Sequence, residues 1–382
     1  MEKNLMVKQI CFTGIVMRAY KYRLYPSKKQ EELLNHHLWL SKELWNQILA
    51  EVKSRYEKEK KFPSKKELRE LVKGKGLFSQ VAQELVDRLL DAVKRKITMK
   101  KKGIKAGFPR FKSVNKMKSI VYPQFGFSLD KKLSVTSFGE IAIRKHREIK
   151  GAIKTLTIKR EASGKFFAIF TAEEEKAEPK QNNGPAVGID LGLMNFAALS
   201  DKSAIKNPHH LEKWQEKLAK IQRKLSKKQK RSKNRGKART KVARLHEKIA
   251  NIRKDFLHKT ANSLLSKYSL LALEDLRIKE MAMQGHGKNI NDAAWNMFVH
   301  ILCYKAESAG CRVVFVDPKN TTKACSSCGE ITEKSLYERI HKCQNCGLSI
   351  DRDLNASINI LTRATAGMTG SNACGDEKIF SS

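Results

Sequence analysis

Two cysteine pairs, CSSC at 325–328 and CQNC at 343–346, are separated by 14 residues, and no other feature restricts the local fold so tightly. Two thiolates separated by two residues can reach one ion from a single tight knuckle, and two knuckles complete a tetrahedron. Gly329 and Gly347 follow the pairs, where the chain has to turn back past the ion. The spacing predicts one Zn2+ on Cys325, Cys328, Cys343 and Cys346, with His341 as a spare ligand only if a cysteine is missing from the sphere. Zinc held by four thiolates has no open position, so this metal is expected to be structural and to leave nearby acids for other work. Cys11, Cys303, Cys311 and Cys374 are scattered, which argues for metal rather than disulfides and for a reducing compartment.

Charge sets the partner class. The chain has 382 residues, enough for several modules, and its 77 Lys and Arg against 39 Asp and Glu give a formal charge of +38. An excess of that size repels itself unless phosphates neutralise it, so nucleic acid is the expected partner. No run of 18 apolar residues is present, and no membrane association is expected. The segment ICFTGIVM, 10–17, lacks a small-residue cleavage site, so no signal peptide is expected; Met17 is a candidate initiator, with 1–16 as an extension.

Along the chain, RAYKYRLYP (18–26) alternates bulky and basic side chains like a half-buried strand, and Ser27 is placed to cap a following helix. Leu33, Leu34, His37, Leu40 and Leu44 recur at helical spacing, and helical periodicity continues to about residue 103 with breaks at FPS (62–64) and GKGLF (74–78). SIVYP, LSVTSF, IAIRK and TLTIKREASGKFFAIFTAE then read as short strands, with ASGK (162–165) as a hairpin turn, suggesting a small β-barrel interrupted by helices. After the polar tract EEEKAEPKQNNGP (173–185) strands alternate with helices, the mark of a mixed α/β domain. AVGID (186–190) and FAALS (196–200) read as paired strands, LLALED (270–275) and CRVVFVD (311–317) as buried strands, with a helix over 292–309.

Residues 211–254 carry 18 Lys or Arg against three acids, Glu212, Glu216 and Glu247. Leu211, Trp214, Leu218, Ile221 and Leu225 keep a 3,4 spacing that Val242, Leu245, Ile249, Ile252 and Phe256 repeat, so two amphipathic helices joined through SKNRGK (232–237) are expected. A solvated coiled-coil face is the bland alternative, but charge of one sign favours a phosphate-facing hairpin. Lys227, Lys228, Lys230, Arg231, Lys233, Arg235, Lys237 and Arg239 are its expected nucleic-acid contacts.

Acids at strand ends form a second constellation: Asp190 after VGI, Glu274 after LLAL, and Asp351 or Asp353 ahead of a helix. Carboxylates gathered from separate elements suit Mg2+, and two such ions can drive phosphodiester hydrolysis. Singly, each acid has a plainer reading: Asp353 as an N-cap, Glu274 and Asp275 as a surface pair, Asp190 as a turn residue before Gly192.

In combination they are more specific. GIDLGLMNFAALSD (188–201), ALEDLRIKEM (272–281), NTTKACSSCG, KCQNCG and DRDLNASINIL (351–361), with YKYRLYPSKKQ and the basic segment 232–259, resemble the TnpB family of transposon-encoded RNA-guided nucleases, relatives of the type V CRISPR effectors. The resemblance covers nearly the whole chain from about residue 17. It implies a multidomain α+β protein: an N-terminal wedge β-barrel (17–27 and 104–175) with an inserted helical recognition lobe (28–103), a linker (176–185), and an RNase H-like RuvC α/β nuclease domain (186–317 and 350–364, basic hairpin 211–258) with an inserted four-Cys zinc ribbon (318–349). A disordered tail is expected over 365–382. Asp190, Glu274 and Asp353 match the family's acidic positions, Asp353 because it directly precedes Leu354-Asn355-Ala356, with Asp351 as the fallback. Arg339 matches an arginine that approaches the scissile phosphate. DKS replaces the usual Asp-Gly turn after Ser200, and TTK replaces Thr-Ser-Gln before the first knuckle; neither removes a ligand or an acid.

The activity so implied is cleavage of double-stranded DNA by two Mg2+, with Mn2+ as a substitute, directed by a guide RNA from the transposon end and by a short flanking duplex motif, in the prokaryotic cytoplasm at the nucleoid. Three rivals compete: an RNA-guided repressor without cutting, a transposase or resolvase that needs no RNA, and a zinc-ribbon transcription factor. The repressor has no need of three intact acids, and the transcription factor leaves them idle.

Overall fold

The alternation that begins at Arg18 builds strand β1 (Ile15–Tyr25) in the computed structural model, which describes residues 15–175, 182–276, 292–335 and 338–366. Tyr20, Tyr22 and Leu24 enter the core while their neighbours face out or lie half-buried. Past Pro26, Ser27 caps helix α1 (Lys28–Glu59): its hydroxyl accepts from the Gln30 N–H at 3.3 Å, and the Gln30 side chain accepts from the Ser27 N–H at 3.0 Å. Helices α2 (Lys65–Val72) and α3 (Ser79–Lys101) follow, separated at the breaks where Gly74 and Gly76 take positive φ.

Six strands come next: β2 (Ser119–Tyr122), β3 (Phe127–Leu129), β4 (Leu133–Val135), β5 (Gly139–Arg144), β6 (Ala152–Arg160) and β7 (Phe166–Glu175). With β1 they make an antiparallel sheet in the order β2-β6-β7-β1-β5-β4-β3. The expected barrel is therefore a near-barrel: β2 and β3 stand at the two ends of the order. Strands of four and three residues offer few backbone groups for closing a ring, and Tyr122 and Phe127 bring their rings to 6.4 Å instead. These elements belong to the first of two compact units, Met1–Lys176.

The second unit, Ala177–Ser382, is built on β8 (Ala186–Leu191), β9 (Asn195–Leu199), β10 (Ala204–Lys206), β11 (Leu270–Glu274) and β12 (Arg312–Val316). Their order is β10-β9-β8-β11-β12, with β11 parallel to both β8 and β12 and the other pairs antiparallel. In the turn after β9, Lys202 takes φ 69° in place of a glycine, and Asp201 accepts the Ser203 N–H at 2.9 Å to hold it.

Helices α4 (His210–Ser226), α5 (Lys233–Lys267) and α6 (Trp295–Ala309) precede the ribbon strands β13 (Ile340–Lys342) and β14 (Ser349–Asp351) and the last helix α7 (Arg352–Ala366). The period of two divides the sheet. Val187, Ile189, Leu191, Leu271 and Leu273 pack with residues of α5 and α6, whereas Leu270, Ala272 and Val316 pack with Ile360 and Ala364 of α7.

Helices α4 and α5 form a hairpin on Leu218, Leu245 and Ile249, flanked by Leu211, Trp214, Ile221 and Val242. Phe256 leaves that seam and meets Phe196 of the sheet core at 5.1 Å. The joint differs from expectation. SKNRGK is not the connector; Ser232 caps α5 by accepting from the Arg235 N–H at 3.1 Å, so 233–237 already lie in the helix and 227–232 make the turn. Of the expected extension over 1–16, Ile15 and Val16 belong to β1, paired with Glu175 and Glu174, and 1–14 lie outside the described residues, as do most of the linker (176–181), the LRIKEM stretch from 277 on, the tail beyond 366, Cys11 and Cys374.

Candidate active site and metal knuckle

On β8 the parity that sends Val187, Ile189 and Leu191 to one side leaves Gly188 and Asp190 toward α7, and on β11 the same parity sends Glu274 there with Leu270 and Ala272. Leu273 pairs with Ile189, so Glu274 comes abreast of Asp190 one residue on. Gly188 is what allows α7 to close over them. A Cβ there would lie 2.0 Å from the Ser357 carbonyl oxygen and 2.8 Å from the Leu361 nitrogen.

Asp190 is 9% exposed. Burial, reinforced by the charges of Glu274 and then Asp353 and only partly offset by Arg352, pushes its carboxyl up to about 8. Glu274 is raised too, chiefly by burial, against a hydrogen bond donated by the Thr321 hydroxyl and the nearby charge of Arg363. Asp353, on the first turn of α7, has Arg352 at 3.3 Å and the half-exposed Arg339 at 4.0 Å. Asp351 has a different job. Its Oδ1 accepts from the N–H groups of Asp353 at 2.9 Å and Leu354 at 3.0 Å, which makes it the N-cap of α7 and frees Asp353 from that task.

The three carboxylates thus meet at one end of the sheet on the α7 side, though more openly than the thiols. Among the described residues, the four cysteines are the set of potential ligands whose donor atoms all lie within 4.8 Å of one another. A buried carboxyl raised by two neighbouring acids is the donor chemistry a hard divalent cation relieves.

The knuckles are two copies of one turn. Gly329 and Gly347, at φ 80° and 72°, donate to the carbonyls of Cys325 and Cys343 at 2.9 and 3.0 Å, and the two cysteine N–H groups are taken by Glu330 at 2.9 Å and Leu348 at 2.8 Å. The Sγ pairs Cys325–Cys346 and Cys328–Cys343 are 3.6 Å apart. Zn–S bonds of about 2.3 Å in a tetrahedron require S···S edges of about 3.8 Å, so the set fits the ion. His341 is buried outside the set, with Nδ1 beside the Lys334 ammonium, so no fifth ligand is needed.

Of the expected nucleic-acid contacts, Lys227, Lys228, Lys230 and Arg231 lie on the hairpin turn and Lys233, Lys237 and Arg239 on the start of α5, all exposed. Arg235 is different: half-buried, it donates to the carbonyls of Leu225 at 3.0 Å and Lys228 at 2.7 Å and closes the end of α4. Thr321, Asn355 and Asn359 around the site do not stand out in the sequence, since nothing in spacing or charge distinguishes a buried Asn or Thr from a surface one. Their place within NTTKACSSCG and DRDLNASINIL was the available signal.

Two units, a mixed sheet with acids at one end and a four-thiolate knuckle ahead of the last helix define the class: the fold is that of Cas12f1. A cryo-EM structure of a Cas12f1–sgRNA–target DNA complex matches with a TM-score of 0.56 at 14% identity, covering 91% of this chain and 99% of that one. The family descriptions "Probable transposase", "Cas12f1-like, TNB domain" and "Helix-turn-helix domain" match residues 169–284, 295–360 and 16–61, the last built here as β1 and the single helix α1. The Escherichia coli K12 protein named "Putative RNA-guided DNA endonuclease InsQ" is 30% identical over 387 residues, 94% of each chain. A Streptomyces pristinaespiralis protein named "Putative RNA-guided DNA endonuclease" is 32% identical over 379 residues, covering 94% of this chain and 92% of its own. The chain belongs to the TnpB family.

Proposed function

We propose that this chain is a transposon-encoded, RNA-guided DNA endonuclease whose second unit is a RuvC-type nuclease domain. The observation that carries the reading is the burial of Asp190 between Glu274 and Asp353, an arrangement that costs stability unless cations occupy it. Relatives of nearly equal length named for the same activity support it.

Asp190, Glu274 and Asp353 would hold two Mg2+, with Mn2+ as a substitute. Bound there, the ions supply an activated water and a counter-charge for the leaving oxygen. The chain's own residues do the rest. Arg352 keeps Asp353 turned on the first turn of α7, and half-exposed Arg339 stands beside that carboxylate, where a phosphate of the cut strand would approach. Cys325, Cys328, Cys343 and Cys346 hold Zn2+ as a structural ion.

The exposed lysines and arginines of the hairpin grip phosphates without reading sequence. Pairing between a guide RNA from the element's end and one DNA strand supplies the sequence, and the first unit reads a short flanking duplex motif. Among the described residues no helix is long and apolar enough to cross a membrane.

The test starts from protein expressed with its downstream DNA, so that the co-purifying RNA can be sequenced and a matching target made. Asp190→Ala is expected to abolish cutting and to preserve target binding in a mobility-shift assay. Undiminished cutting would remove Asp190 from the centre.

A further inference from the structure

Three side chains with no role in metal binding stitch the first knuckle to the acids. Thr321 stands four residues before Cys325 and is 2% exposed; its hydroxyl donates to the Glu274 carboxylate, with the Pro318 carbonyl as its other neighbour at 3.1 Å. Asn355 is fully buried two residues beyond Asp353. Its Nδ2 donates to the Ala324 carbonyl at 2.7 Å and its Oδ1 accepts from the Ser326 N–H at 2.9 Å, so it holds the residues on both sides of Cys325. One turn further along α7, Asn359 donates to the carbonyls of Thr321 at 2.9 Å and Ala324 at 2.7 Å. The peptide 321–326 is thereby bonded to the strand end that carries Glu274 and to the helix that carries Asp353, and it contains one ligand of the four-cysteine set.

We infer that Thr321, Asn355 and Asn359 are positioning residues through which the metal in the four-cysteine knuckle fixes Glu274 and Asp353 relative to each other. This rests on the reading of Asp190, Glu274 and Asp353 as a divalent-ion site. Buried hydrogen bonds with no water to replace them transmit displacement. Cys325 cannot move without Ala324 and Ser326, and these cannot move without breaking the Asn355 and Asn359 hydrogen bonds. Partners outside the coordination sphere orient the ligands, and losing one lowers metal affinity about 10- to 100-fold. The acids should therefore bind divalent ions more weakly when the knuckle is empty, although no cysteine belongs to their site.

The test is Mn2+ binding followed by electron paramagnetic resonance on the full chain freed of nucleic acid, with zinc content measured on the same samples. Asp190→Asn defines the background of sites elsewhere. Thr321→Val keeps shape and burial but removes the hydroxyl; it is expected to retain one zinc and its circular dichroism while its Mn2+ midpoint rises about tenfold or more. Wild-type protein stripped of zinc by a thiol-directed mercurial should shift the same way. If Thr321→Val itself loses zinc, Asn359→Ala and the stripped wild type carry the comparison.

An unchanged midpoint in the zinc-retaining variant and in the stripped protein would overturn the coupling and leave the acidic site standing, provided Asp190→Asn still abolishes the signal. If Asp190→Asn binds Mn2+ as wild type does, the acidic site fails and the coupling falls with it.

Discussion

Asp190→Asn isolates the cost of a buried charge. In the folded chain the Asp190 carboxyl titrates at about 8 rather than 3.8. Below about pH 4 folded and unfolded chains both hold the proton, and nothing is lost. Between about pH 4 and 8 the folded chain keeps a proton that the unfolded chain has released, so stability falls by about 1.4 kcal/mol per pH unit and levels off above that window. By pH 7 the accumulated loss is about 4 kcal/mol, and at pH 5 between about 1 and 2 kcal/mol.

Asparagine has the same shape and no proton to lose. In Mg2+-free buffer with zinc retained, the variant is expected to exceed wild type by those amounts in urea unfolding of the second unit, with the gap opening as pH rises. Adding Mg2+ should close or invert the gap, because only wild type has the charge that the ion neutralises. A wild-type stability that stays flat from pH 5 to 8, or a variant that tracks it at every pH, would refute the reasoning.

The two aspartates of the DRD segment should separate cleanly. Asp351→Ala removes the cap of α7 and costs about 1 kcal/mol of thermal stability with cutting largely kept, whereas Asp353→Ala stops cutting; the opposite pattern in a plasmid-cleavage assay would exchange their roles. Replacing Lys227, Lys228, Lys230 and Arg231 together by Ala should lower the salt slope of nucleic-acid binding by about 0.7 to 0.9 for each phosphate no longer neutralised, measured by fluorescence anisotropy across a salt series. An unchanged slope would remove the turn from the interface.

Much of the architecture was legible because it follows from periodicities. The alternation in RAYKYRLY, the Ser27 cap, and the 3,4 spacing through Leu218 and Ile249 each depend on neighbours a few residues away. What escaped depends on distant ones. The hairpin joint is the exception: SKNRGK reads as a connector, yet Ser232 caps α5 by accepting from the Arg235 N–H only three residues on. Arg235 looked like one more surface cation, but the end of α4 folds back onto it. The order of seven short strands cannot be read from alternation, which says which side a residue faces and not which strand lies beside it. At the site, Asp190 and Glu274 were visible as strand-end acids, whereas Gly188 as the seat for α7 and Asp351 as its cap became apparent only with the helix in place.

The packing of α7 against β8 also sets a timetable. Asp190 lies on the first strand of its sheet and Asp353 on a helix that follows every other strand of that sheet. At about 5 to 20 residues per second, a ribosome needs roughly 10 to 30 seconds to pass from one to the other. In the later part of that interval, once α4 and α5 have been made, the nascent chain carries its basic hairpin and could already hold RNA, yet it has no complete set of acids. On the proposed function, binding competence would precede cutting competence during synthesis, and an RNA captured during translation would be seated before the first bond could be broken.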